Sequence, residues 1–167
     1  MTTPLAVVLP ANKDVKDMLS SLVGKPVTVA PGAPVTPTER SPVSVAVYVD
    51  PQMNTNALCV MDLAFSAYSG GALAMLPPGG CQDAVEEDGE LTPMLTEALH
   101  EVVNVLSALL NVPGAPHSKL YRLYAAGDDL PADIAGMLAA FNRLDLSVDI
   151  PGYGKGAMSL VIPSGAA

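Results

Sequence analysis

Within the stretch TPMLTEALHEVVNVLSALLN, residues 92–111, the carboxylates Glu97 and Glu101 and the carboxamide Asn104 stand at helical spacing. Carboxylates pair with cations, and a carboxamide both donates and accepts hydrogen bonds. At about 100° per residue, Leu95, Leu99, Val102, Val103, Leu106, Leu109 and Leu110 crowd one side of such a helix, which is a core face. Glu97, Glu101, Asn104 and Ala108 form a straight file on the other side. Exposed helix faces commonly mix both signs of charge, yet the segment contains no Lys or Arg. Asn104 carries a small propensity cost at mid-helix, and Ala108 leaves room for a close approach. The file reads either as solvated surface or as a face built to touch something.

The rest of the composition narrows the choice. The chain has 167 residues, enough for one domain spanning 1–167 with a proper core. Half of the residues are hydrophobic and 15% are charged, which excludes wholesale disorder. Net charge is −9, from 17 acidic and 8 basic residues. With no basic patch, nucleic acid and anionic membrane are poor partners, and a basic protein surface is the better one. MTTPLAVVLP lacks the charged start and long apolar run of a signal peptide. No stretch approaches the roughly 20 apolar residues that a membrane span needs. Two cysteines, Cys59 in a strand and Cys81 in a loop, make no disulfide framework and read as reduced thiols of a cytoplasmic protein.

Other chemistry fails on inspection. GYGKG (152–156) lacks the spacing and the Ser/Thr of a phosphate loop and suits a hairpin turn. AVEEDGELTPML has calcium-loop length, but Ala84 and Leu95 stand where oxygen ligands are required. His100 and His117 have no partner pattern for zinc, and His100 reads as an exposed helix residue. No metal ligands and no nucleophile set emerge.

These residues need a frame. ANKDVKDMLSSLVG predicts a helix started by Asn12 or Asp14 and stopped by Gly24, followed by a strand in KPVTVA. Residues 31–42, rich in proline, predict a surface loop. VSVAVYVD alternates, with Val43, Val45, Val47 and Val49 on one face, and pairs with ALCVMDL as an antiparallel hairpin. AFSAYSGGALAML predicts a helix weakened by Gly70 and Gly71, and Pro77 to Leu91 a loop. Thr92 as N-cap and Pro93 at the first position open the long helix. KLYRLYAA predicts a strand and 131–141 a short helix. RLDLSVDI and AMSLVIP close the chain as a hairpin, with Leu144, Leu146, Val148, Ile150, Met158, Leu160 and Ile162 inward, and a short flexible tail follows. The pattern is that of an α+β domain with helices on an antiparallel sheet.

The long helix resembles the signature helix of the CheC/CheX family, phosphatases of the phosphorylated chemotaxis response regulator CheY. That family carries an acidic residue or Ser, three others, Glu, two others, and Asn; Glu97, Glu101 and Asn104 occupy this pattern. LSSLVGKPVTVAPG is similar to the family's N-terminal helix, Gly stop and strand, and LSVDIPGYGKGAMSLVI to its last two strands. The resemblance implies two long helices packed side by side on a continuous antiparallel sheet. The N-terminal helix lacks its own motif, because Asp17 is followed three residues on by Ser20, so the layout is closest to CheX, whose members pair as homodimers. The family usually has Gly where this chain has Ala108, and Asp or Ser where it has Glu97. Neither the 31–42 loop nor the 131–141 helix has a firm counterpart.

For function, the resemblance implies hydrolysis of the aspartyl phosphate on a CheY-like receiver domain. Asn104 would position the attacking water, as a Gln does in related phosphoryl transfer. Glu101 would pair with the receiver's lysine, and Glu97 and Ala108 would belong to the partner-binding face. The chain would hold no cofactor of its own, since Mg2+ arrives with the receiver. The alternative is a non-catalytic module of the same fold that docks a receiver or a flagellar switch protein.

Overall fold

A computed structural model describes residues 7–38 and 41–163. The first helix, α1, spans Asn12–Val23 and buries Val15, Leu19 and Val23. Its N-cap is Ala11, one residue before the expected Asn12; Asp14 still serves the start by accepting the Ala11 amide at 3.3 Å. Gly24 ends the helix at φ 70°, as expected of a left-handed stop. The strands are β1 (Thr28–Pro31), β2 (Val43–Val49), β3 (Thr55–Asp62), β4 (Lys119–Tyr124), β5 (Asn142–Ile150) and β6 (Gly154–Ile162). They make one six-stranded sheet in the order β1-β5-β6-β3-β2-β4, with every neighbouring pair antiparallel. The expected hairpins are β2–β3 and β5–β6, the latter with Leu146 opposite Met158.

Both faces of the sheet are covered. Ala46, Tyr48, Cys59, Met61, Leu146 and Met158 point into the helix layer. That layer contains α1, α2 (Leu63–Leu73), α3 (Pro78–Asp83) and α4 (Pro93–Leu106). The opposite face presents Val43, Val45, Val47, Val49, Leu58 and Val60 to a second apolar cluster. There α5 (Ala132–Met137) contributes Ile134, and the residue after it contributes Leu138. So β2 alternates as its sequence predicts, but neither of its faces meets water.

Three expectations need correction. Within the proline-rich segment Val35 is buried, and its amide donates to Ser159 Oγ at 3.0 Å, so the segment covers the second cluster as well as forming surface. Proline suits this task because it brings no N–H to leave unpaired over an apolar face. Residues 77–91 are largely helical: α3 runs into a single π-helical turn, Ala84–Asp88, stopped by Gly89 at φ 68°. Burial of Cys81 and Ala84 outweighs the poor helix propensity of Gly79 and Gly80. Cys81 therefore sits in a helix and not in a loop.

The resemblance implies two long helices side by side without fixing which two; α4 packs chiefly on α2, which is buried almost all round. Gly70 and Gly71 make this possible. A Cβ on Gly70 would stand 3.1 Å from the Leu95 carbonyl oxygen and 3.1 Å from the Leu99 nitrogen, closer than real Cβ contacts normally come. The two glycines are surfaces for neighbouring elements, not weak points. The expected C-terminal tail beyond Pro163 lies outside the described residues.

Candidate functional site

The long helix begins as its sequence demands. Thr92 Oγ1 accepts the Leu95 amide at 3.2 Å, and Pro93 occupies the first turn. Leu95, Ala98, Leu99, Val102, Val103 and Leu106 are buried. Glu97, His100, Glu101, Asn104 and Ala108 are all exposed. Glu97, Glu101 and Asn104 of the predicted file thus stand on the outer side of α4, over a helix locked from beneath, and Ala108 lies beyond its end, in the 3₁₀ turn Ser107–Leu110.

Among the described residues no hydrogen bond engages the side chain of Glu97, Glu101 or Asn104. The two salt bridges described, Lys13–Asp17 and Arg143–Asp145, involve none of them. On α1 the equivalent positions are occupied: Asp17 is paired with Lys13, and Ser20 Oγ accepts the Val27 amide at 3.1 Å. A carboxylate and a carboxamide one helical turn apart, facing water, can hold a cationic group and orient a water molecule at the same time.

The last turns of α4 hold features that sequence reasoning missed. Tyr48, fully buried on β2, donates its hydroxyl to the Val103 carbonyl at 2.6 Å. Burial raises the pKa of this phenol well above its ordinary value, so it remains a donor. After Leu106 the helix tightens into a 3₁₀ turn, Ser107–Leu110. Ser107 Oγ donates to the Asn104 carbonyl at 2.7 Å. A Ser three residues after Asn104 is a legible signal, because short hydroxyl side chains bond back to carbonyls of the preceding turn.

Other chemistry is not assembled. Cys59 is buried and its thiol pushed up to about 12 by desolvation; burial also raises Cys81. Both are free thiols that stay protonated. Among the described residues no group of three His, Cys, Asp or Glu could hold a metal ion, and no helix is long and apolar enough to cross a membrane.

No protein-family model matches this sequence, and no curated protein matches it. Solved structures do. Thermotoga maritima FliY is similar at a TM-score of 0.62 and 12% identity, covering 95% of this chain and 86% of that one. A chain of the FliG–FliM complex from H. pylori is similar at 0.58 and 14%, covering 91% and 86%. A chain of the CheX–CheY–BeF3–Mg complex from Borrelia burgdorferi gives 0.48 and 12%, covering 89% and 92%. The chain shares the fold of FliY and FliM. At these identities the likeness is one of architecture.

Proposed function

We propose that this protein hydrolyses the aspartyl phosphate of a CheY-like receiver domain. The observation that carries the reading is the pair Glu101 and Asn104. They are exposed on one face of α4, about 4.5 Å apart along the axis, and neither side chain has a hydrogen-bond or ion-pair partner among the described residues. A phosphorylated receiver already neutralises its phosphoryl group with a divalent cation and a lysine. What it lacks is a water held in line with the leaving carboxylate oxygen. The Asn104 amide accepts from and donates to that water, converting an encounter with solvent into a positioned attack. Glu101 takes the receiver's lysine and sets the register of docking. Glu97 adds charge to the same face, and Ala108 admits close approach.

The absence of cations on α4 fits this task, since a nearby Lys would compete for both carboxylates. The test is the lifetime of a phosphorylated receiver mixed with purified protein. Shortening by wild type, its loss in Asn104→Ala with binding retained, and loss of both in Glu101→Ala are the expected results. An unchanged lifetime with wild-type protein refutes the enzymatic reading.

The likeness to FliY and to the FliG–FliM complex chain favours a second reading, a non-catalytic docking module. Under it, the α4 face binds a receiver or a flagellar switch protein, and Asn104→Ala changes neither affinity nor phosphoryl lifetime.

A further inference from the structure

We infer that Ser107 and Asn111 are positioning residues for Asn104, the outer end of a polar strap that fixes the catalytic turn of α4. The inference rests on the phosphatase reading and adds to it residues outside the Glu–Asn motif.

The strap is continuous. Asn104's carbonyl receives the backbone N–H of Ser107 and, at 2.7 Å, its hydroxyl. Ser107's own carbonyl accepts Asn111 Nδ2 at 3.2 Å. The Asn111 amide then clamps Ser118 from both sides: Nδ2 donates to the Ser118 carbonyl at 2.9 Å, and Oδ1 accepts the Ser118 N–H at 2.7 Å. Ser118 is buried, and its Oγ accepts Asn56 Nδ2 at 2.8 Å. Asn56 is itself buried on β3. A path of hydrogen bonds thus runs from the buried start of β3 to the backbone of the one residue whose side chain must be aimed.

Asn104 is the last residue but two of α4 before the helix changes pitch. Helix ends fray, and carbonyls in the last turn lack intrahelical partners. A side chain there inherits any drift of its own peptide unit. Tyr48 restrains the preceding carbonyl, that of Val103, from beneath. Ser107 restrains Asn104's from the C-terminal side, and Asn111 holds Ser107. Water positioning is intolerant of such drift, because misplacement of an attacking group by about 1 Å costs up to about 100-fold in rate. Docking through Glu101, a full turn nearer the helix middle, is far less sensitive.

The strap therefore separates rate from binding. Ser107→Ala, Ser107→Thr, Asn111→Ala and Asn104→Ala are compared in single-turnover dephosphorylation of a CheY-like receiver at saturating protein, alongside binding to the beryllofluoride-activated receiver. Ser107→Ala and Asn111→Ala each lower the saturating rate by about 10-fold, with affinity unchanged. Ser107→Thr, which keeps the hydroxyl, restores most of the rate. The Asn104 carbonyl carbon resonance moves upfield in Ser107→Ala, reporting loss of the hydroxyl donor. If Asn104→Ala abolishes turnover while Ser107→Ala and Asn111→Ala leave it intact, the strap has no positioning role. If Asn104→Ala is as active as wild type, or wild type has no activity, the phosphatase reading itself fails and the strap's role falls with it.

Discussion

The hydroxyl of Tyr48 donates to the carbonyl of Val103 at 2.6 Å, joining the C-terminal end of β2 to α4 one residue before Asn104. The bond lies wholly inside the protein, where a neutral hydrogen bond contributes about 1 kcal/mol net. Because burial holds the phenol protonated, the contact does not titrate over the pH range in which proteins are normally folded. Tyr48→Phe keeps the ring and removes the donor. It is expected to lower unfolding free energy by about 1–1.5 kcal/mol in urea denaturation, with an unchanged slope. A neutral result would mean that the Val103 carbonyl is satisfied without the phenol.

Gly71 and Cys81 form a matched pair. A Cβ built on Gly71 would collide with Cys81 Sγ, whereas its next neighbours, Tyr153 Cε1 and Cys81 Cβ, stand at 3.5 and 3.6 Å. Gly71→Ala is therefore expected to destabilise the fold by about 1–3 kcal/mol, the usual cost of overpacking. Adding Cys81→Ala removes the colliding sulfur and leaves ordinary contacts, while Ala gains about 1 kcal/mol over Gly in helix propensity. The double variant should be more stable than Gly71→Ala alone. Simple additivity in thermal denaturation would show that the two positions do not share the space.

Asp62 couples two elements through one oxygen: Oδ1 accepts the Phe65 amide at 2.7 Å, capping α2, and the Ala157 amide of β6 at 3.0 Å. Desolvation raises its pKa above the usual 3.8, and the two backbone donors only partly offset that shift. The folded state thus holds this proton more tightly than the unfolded chain. The corresponding stabilisation is fully present below 3.8 and is lost as pH rises through the folded value. Asn keeps the acceptor oxygen and cannot ionise. The stability of wild type relative to Asp62→Asn should rise as pH falls through that window. Asp62→Ala, lacking the cap, should lose about 1 kcal/mol or more at neutral pH. A pH-independent difference between wild type and Asp62→Asn would refute the titration.

Legibility followed periodicity. Strands with strict alternation, such as RLDLSVDI, and the helix with both a Thr N-cap and a seven-residue apolar face, were readable because local pattern and burial agree there. PPGGCQDAVEED was not, since its helix depends on Cys81 and Ala84 reaching α2, a contact between segments that no local pattern records. Gly70 and Gly71 read as weakness for the same reason. Exposure of Glu97, Glu101 and Asn104 was legible from the 3.6-residue period alone. The bracing by Tyr48 and Asn111 was not, because Tyr48 lies 55 positions from Val103 and Asn111 acts across a loop of irregular backbone.

The charge on Glu101 gives the last prediction. On the proposed docking face it meets a lysine at a contact that stays partly in water, so its effect must weaken with ionic strength as the Debye length falls from about 10 Å at 0.1 M to about 3 Å at 1 M. Glu101→Gln preserves size and hydrogen bonding while removing the charge. Affinity for a beryllofluoride-activated receiver should fall several-fold at low salt, with most of the difference from wild type gone near 1 M. Glu97→Gln, one turn further from Asn104, should show the same salt trend with a smaller amplitude. Isothermal titration at two salt concentrations distinguishes the cases. A Glu101→Gln defect that persists undiminished in high salt would assign Glu101 a geometric role in place of an electrostatic one, and the pairing with a receiver lysine would have to be abandoned.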